Sequence, residues 1–163
     1  MRPAAPSLPR QVAALAAFLL ACFLVSGIGG VLTSLSVGTW YQELEKPPYN
    51  PPDWIFAPVW SLLYVMIAVA GWLVWRRTDI LAARPAFALY GAQLALNLLW
   101  SALFFGLRAP FLGLVGIVAL WLAIAATLIA FTRYERLAAA LLAPYLAWVT
   151  FAFFLNLAIW RLN

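Results

Sequence analysis

The chain has no histidine and a single cysteine, Cys22. The commonest general base and the commonest metal and haem ligand are therefore missing. Its 10 Lys or Arg and 5 Asp or Glu all fall in tails, connections or helix ends. Any chemistry inside the apolar runs is left to neutral polar groups and aromatic rings. Gln93, Asn97 and Trp100 recur at i, i+4 and i+7, which puts them on one helical face. Two carboxamides one turn apart need partners in a dry medium. Hydrogen bonding between helices, worth about 1 kcal/mol, is one reading, and a polar wall for a bound ligand is the other. Tyr145, Trp148, Val149, Ala152 and Asn156 make a similar stripe near the C-terminus. Small Ala152 among aromatics would leave room for a ring, whereas simple core packing would give the same pattern.

The elements that position these residues follow from composition. The chain is 163 residues long, 67% hydrophobic and only 9% charged. Soluble domains are about half apolar and a quarter charged, so an ordinary soluble enzyme, a disordered chain and a nucleic-acid-binding module are excluded. The net charge of +5 comes from scattered basic residues and forms no patch for nucleic acid. A spanning helix needs roughly 20 mostly apolar residues. Five runs qualify, at about residues 11–35, 54–75, 85–107, 111–131 and 137–160. Leu and Ala dominate them, and helices satisfy the backbone in lipid. The expected architecture is an all-α integral membrane protein, a bundle of five transmembrane helices forming one domain over residues 1–163. The first run continues past Cys22 to Leu35, so it reads as a retained helix rather than a cleaved leader. Cys22 reads as a small packing residue.

Lys and Arg set the expected orientation. Arg2, Arg10, Arg76, Arg77, Arg84, Arg133 and Arg136 fall on one side, against Lys46, Arg108 and Arg161 on the other. In a bacterial inner membrane this bias puts the N-terminus in the cytoplasm and the long first loop outside. The absence of charge within the spans argues against a proton-coupled transporter and against acid–base or metal-dependent hydrolysis. Aromatics are abundant, with 9 Trp, 11 Phe and 6 Tyr. An interfacial belt accounts for Trp40, Trp72, Trp75 and Trp160 near span ends, but not for the deeper Trp100, Trp121 and Trp148.

The first loop carries two Pro-Pro pairs, Pro47-Pro48 and Pro51-Pro52, which stiffen it. Asn50 is expected to cap the second spanning helix, with Pro51 in its first turn. That helix then presents Trp54, Trp60 and Tyr64, and Pro58 and Pro144 are expected to bend their helices. Helix direction brings the polar and aromatic residues of the second, third and fifth spans together under the first loop. The expected result is a ligand pocket formed by Trp54, Trp60, Tyr64, Gln93, Asn97, Trp100, Tyr145, Trp148, Ala152 and Asn156. The four prolines would stiffen its lid.

These segments resemble the TspO/MBR family of bacterial tryptophan-rich sensory proteins and mitochondrial translocator proteins. The resemblance rests on Trp40-Tyr41, on the run from Lys46-Pro47-Pro48-Tyr49 to Asp53-Trp54, and on Pro58-Val-Trp60 with Tyr64. It continues through Gln93 to Trp100, Phe104-Phe105-Gly106, Pro144-Tyr145-Leu-Ala-Trp148, Leu155-Asn156 and Trp160-Arg161. It implies a five-helix membrane bundle, often a homodimer, that binds porphyrins such as protoporphyrin IX non-covalently. It also implies a link to light-driven porphyrin breakdown, for which Trp54 and Trp148 are the candidate residues. One departure bears on sterols: Leu157 stands where animal members carry a tyrosine in their cholesterol-recognition pattern.

The expected function is a membrane receptor or sensor for tetrapyrroles, protoporphyrin IX or haem-like, with membrane lipid as its surroundings. A tetrapyrrole or lipid carrier is one alternative. A tryptophan-dependent photo-oxidative porphyrin-degrading enzyme is the other.

Overall fold

The computed structural model describes residues 6–163, so Arg2 lies outside the described residues. Helix α1 runs over Leu8–Val37, and a single turn, α2, over Trp40–Glu43. A 3-10 turn at Asp53–Ile55 leads into α3 at Phe56–Arg77. Helix α4 covers Arg84–Ser101 and ends in a π-helical turn, Ala102–Gly106. Helices α5 and α6 occupy Pro110–Thr132 and Arg136–Leu162. Five of these segments are long and apolar enough to cross a membrane. No strand occurs among the described residues. The chain is an all-helical integral membrane protein.

The helices close into a ring. Helix α1 packs on α3, α3 on α6, α6 on α5, α5 on α4, and α4 back on α1. The centre is sealed by Ile67, Leu120, Ile124, Phe131, Leu142 and Tyr145, all fully buried. Leu20, Leu24, Ile28, Val31 and Leu35 form an exposed apolar stripe along α1. That stripe suits hydrocarbon, since lipid tails leave no reason to bury it.

Close approach is set by small residues. A Cβ on Gly113 of α5 would lie 2.8 Å from the Phe104 ring and 3.0 Å from Asn156 Oδ1. Gly113 thus lets α5 meet both the π-helical turn and α6. One end of the bundle carries anchors: Arg76 lies 4.6 Å over Trp72 and Arg10 lies 5.9 Å over Trp75. Trp72 also donates to Gln11 O at 3.0 Å. At the same end Arg77 Nε donates to Glu135 at 2.6 Å, and this bond holds the Glu135 carboxyl below its usual range.

The first loop departs from its expected form. Asn50 is no helix cap: its N–H donates to Pro47 O, and its side chain accepts from Tyr41. The helix starts three residues later, with Pro52 preceding the 3-10 turn. The four residues after Leu44 are already extended or turning, so the loop closes on itself before α3 begins.

Gly113→Ala is expected to lower the thermal midpoint in detergent, by an amount equivalent to about 1–3 kcal/mol, because overpacking displaces Phe104. A thermal melt of purified wild type and variant measures this.

Candidate ligand cavity

Beneath the first loop lies a cavity of about 330 Å³. Small-molecule pockets span about 300–1,000 Å³, so this one is of ligand size. Four spanning segments build it. Helix α3 contributes Phe56, Trp60 and Tyr64, and α6 contributes Trp148, Ala152 and Asn156. Helix α4 and its π-helical turn supply Asn97, Trp100, Phe104 and Phe105. The wall from α1 is different in kind: Ser26, Gly29, Gly30, Thr33 and Ser34 are all small. Tyr41 and Asp53 close the top.

The sequence pattern brings together seven of the ten expected pocket residues: Trp60, Tyr64, Asn97, Trp100, Trp148, Ala152 and Asn156. Three are placed elsewhere. Trp54 is 73% exposed and lies outside the lining, because the 3-10 turn before α3 rotates it away from the bundle. Tyr145 is fully buried behind the cavity wall. Gln93 shares the inward face of α4 but sits one turn further from the loop, where the cavity does not reach. Its side chain is 0% exposed, and neither amide atom has a hydrogen-bond partner. None of Pro47, Pro48, Pro51 and Pro52 touches the cavity either. They shape the loop instead: Pro47 O accepts from Asn50 N–H and Pro52 O from Ile55 N–H.

The carboxamides that do reach the cavity are already committed. Asn97 Oδ1 accepts from Tyr64 at 2.8 Å, and Asn97 Nδ2 donates to Tyr145 at 2.8 Å. One amide therefore ties α3, α4 and α6 together. Asn156 Oδ1 accepts from Trp100 Nε1 at 3.2 Å, while its Nδ2 donates to Pro110 O at 2.8 Å. That second amide joins α6 to α4 and α5. Of the two readings of these amides, interhelical bonding is the one with visible partners. It also fixes the rings around the cavity: Trp60 sits 5.8 Å from Tyr64 and 6.1 Å from Tyr145, and Trp100 stacks on Phe104 at 5.8 Å. Trp148 meets Phe56 edge-on at 6.0 Å.

The roof is tied by side chains. Tyr41 donates to Asn50 at 2.9 Å, and Gln42 Nε2 donates to Asp53 at 2.7 Å. Lys46 Nζ lies 4.8 Å over the Tyr41 ring. Burial, and then the nearby Asp53 charge, push the Tyr41 phenol up to about 12, so it stays a neutral donor. The π-helical turn has a visible role as well. Its Leu107 N–H reaches Ala102 O at 2.8 Å, and the Phe105 carbonyl accepts from Ser36 of α1 at 2.7 Å. The extra residue in this turn aims Phe104 and Phe105 at the cavity.

Sequence reasoning passed over the α1 wall, Tyr41, and Phe104 with Phe105 as lining residues. A signal for the wall was present: Ser26, Gly29, Gly30, Thr33, Ser34 and Val37 recur at helical spacing on one face. Gly30 and Ser34 of α1 and Ala57 and Ser61 of α3 are exposed while also lining the cavity. The cavity therefore opens sideways between these two helices.

Asn97→Leu is expected to lower the thermal midpoint with no ligand present. It leaves the Tyr64 and Tyr145 hydroxyls unpaired, at about 1–3 kcal/mol. An unchanged melting curve would show that these bonds contribute nothing.

The chain is similar in sequence to known proteins. The TspO/MBR family profile matches residues 18–161. A tryptophan-rich protein TspO from Chlorobaculum tepidum is 42% identical over 158 residues, covering 94% of this chain and 98% of that one. A translocator protein from Sus scrofa is 40% identical, covering 86% of both chains. Protein CrtK from Rhodobacter capsulatus is 35% identical, covering 91% of both. A family match that reaches all five spans, with relatives 35–42% identical over most of the chain, places this chain in the TspO/MBR family.

Proposed function

We propose that this chain is a membrane receptor or sensor that binds tetrapyrroles of the protoporphyrin IX type between its helices under the first loop. The observation that carries this reading is the lining itself. Trp60, Trp100, Trp148 and Phe104 present large apolar faces around one ligand-sized space. A porphyrin is a flat apolar ring with carboxylate tails, and indole faces suit such a ring. The lining contains no His, Cys or Met, the axial ligands of most haem proteins, so it suits a metal-free ring better than haem. Lys46 beside Tyr41 supplies the cation nearest the roof for a carboxylate tail. The roof, tied by Tyr41–Asn50 and Gln42–Asp53, acts as the lid.

A light-dependent degradation of the same ligand is a second reading, favoured by the position of Trp148. Its indole lines the cavity, and among the described residues its N–H has no protein partner. Trp54 is largely exposed and lies outside the lining.

Titration of the purified protein with protoporphyrin IX in the dark, then under illumination, tests both readings. Trp148→Ala is expected to weaken binding about tenfold, the loss of roughly 1–3 kcal/mol of ring stacking. At matched occupancy, Trp148→Phe is expected to bleach more slowly than wild type, and Trp54→Phe at the wild-type rate. No saturable binding by wild type would overturn the receptor reading. Equal bleaching in all three proteins would overturn the second.

The same reading has the chain in a bacterial inner membrane as a homodimer, with the N-terminus in the cytoplasm. The support for the orientation is the cluster of Arg10, Arg76, Arg77, Arg84, Arg133 and Arg136 on one end of the bundle, against Lys46, Arg108 and Arg161 on the other. Reporter fusions are expected to find the C-terminus outside the cytoplasm. A cytoplasmic C-terminus would invert the topology.

A further inference from the structure

The first-loop end of the bundle carries three cations, Lys46, Arg108 and Arg161. Two of them meet. Arg108, from the connection before α5, and Arg161, from the last turn of α6, line one open groove of about 730 Å³. The other walls include Trp40, Phe111 and Trp160. No acidic side chain lines the groove, and among the described residues neither arginine forms a salt bridge. We propose that this groove binds the phosphate of an anionic phospholipid.

Four observations carry the assignment. Guanidinium groups bind phosphate oxygens through paired N–H donors, and two of them suit a phosphodiester better than a lone surface arginine does. Arg108 has φ of 53°, a left-handed conformation that is uncommon for a residue other than glycine. That backbone is held by the Ala109 N–H, which donates to Leu103 O in the π-helical turn at 3.2 Å. The groove has a fixed wall, because Asn163 pairs reciprocally with Glu45, Oδ1 accepting from its N–H and Nδ2 donating to its carbonyl, both at 3.0 Å. Finally, the groove lies at the end of the spans, where headgroups sit. Phe111 and Trp160, in contact at 5.4 Å, are both exposed there, as is Leu112. Acyl chains leaving a bound headgroup would run down these apolar side chains. A soluble phosphate would gain nothing from them, which favours the lipid as the source.

This site is separate from the cavity under the loop and does not rest on its occupant. The test uses the full chain purified from a detergent mixture of equal phosphatidylglycerol and phosphatidylcholine, with retained lipid counted by native mass spectrometry. Wild type is expected to retain phosphatidylglycerol preferentially, each arginine contributing about fivefold. Arg108→Gln and Arg161→Gln should each remove about that factor. Arg108→Lys, which keeps the charge but loses the planar fork, should remove only part of it. Arg133→Gln, at the opposite end, should leave the preference nearly intact. Equal retention of the two lipids by wild type would overturn the proposal. So would a loss in Arg133→Gln as large as that in Arg161→Gln, since the preference would then be general charge. Binding of inorganic phosphate that is lost in Arg161→Gln, together with no lipid preference in wild type, would assign the groove to free phosphate instead of lipid.

Discussion

A polar group inside a membrane bundle has no water to fall back on, and Asn97 is where this constraint is concentrated. Its single amide spends one atom on Tyr64 and another on Tyr145, and so joins α3, α4 and α6. Most of the cavity depends on that junction. Tyr64 and Tyr145 both lie within ring contact of Trp60, so the amide sets the angle of an indole it never touches. Asn156 repeats the device nearer the loop, orienting Trp100 through its Nε1 and gripping the start of α5 through Pro110 O. Trp121 and Thr150 add a third crossing, between α5 and α6, at 2.8 Å. The aromatic walls are stiff because a few amides and hydroxyls have nowhere else to bond.

Much of this was readable from residue order alone. Spans are a matter of length and polarity, so five apolar runs became five helices, with ends displaced by no more than a few residues. The face shared by Gln93, Asn97 and Trp100 was legible because helical spacing is rigid. What spacing does not supply is depth. Gln93 is on the right face but one turn too far from the loop, and only the packing of the neighbouring helices closes the cavity above it. Trp54 stands outside the lining for another reason. Its direction is set by a 3-10 turn, and a change of helical type within three residues leaves no periodic trace. The π-helical turn that aims Phe104 and Phe105 was invisible for the same reason. The α1 wall had a readable stripe, but small residues on a spanning helix serve plain helix packing just as well.

The prolines of the first loop make a related point about where rigidity resides. They restrict the chain without touching the cavity, and the roof over the cavity is made by Tyr41 and Asp53. Those two are held by residues between and beside the prolines, Asn50 and Gln42. Stiff backbone thus narrows the choices, and a small set of side-chain bonds selects one of them.

The gap between α1 and α3 changes what concentration means for this protein. Its edges are Gly30, Ser34, Ala57 and Ser61, with no bulky side chain to bar passage. On the proposed reading, with this gap as the way in from the bilayer, a ligand would arrive already dissolved in lipid. Its occupancy would then follow its mole fraction in the surrounding leaflet. Two cells holding equal total amounts of an apolar ligand, but different amounts of membrane, would fill this cavity to different extents.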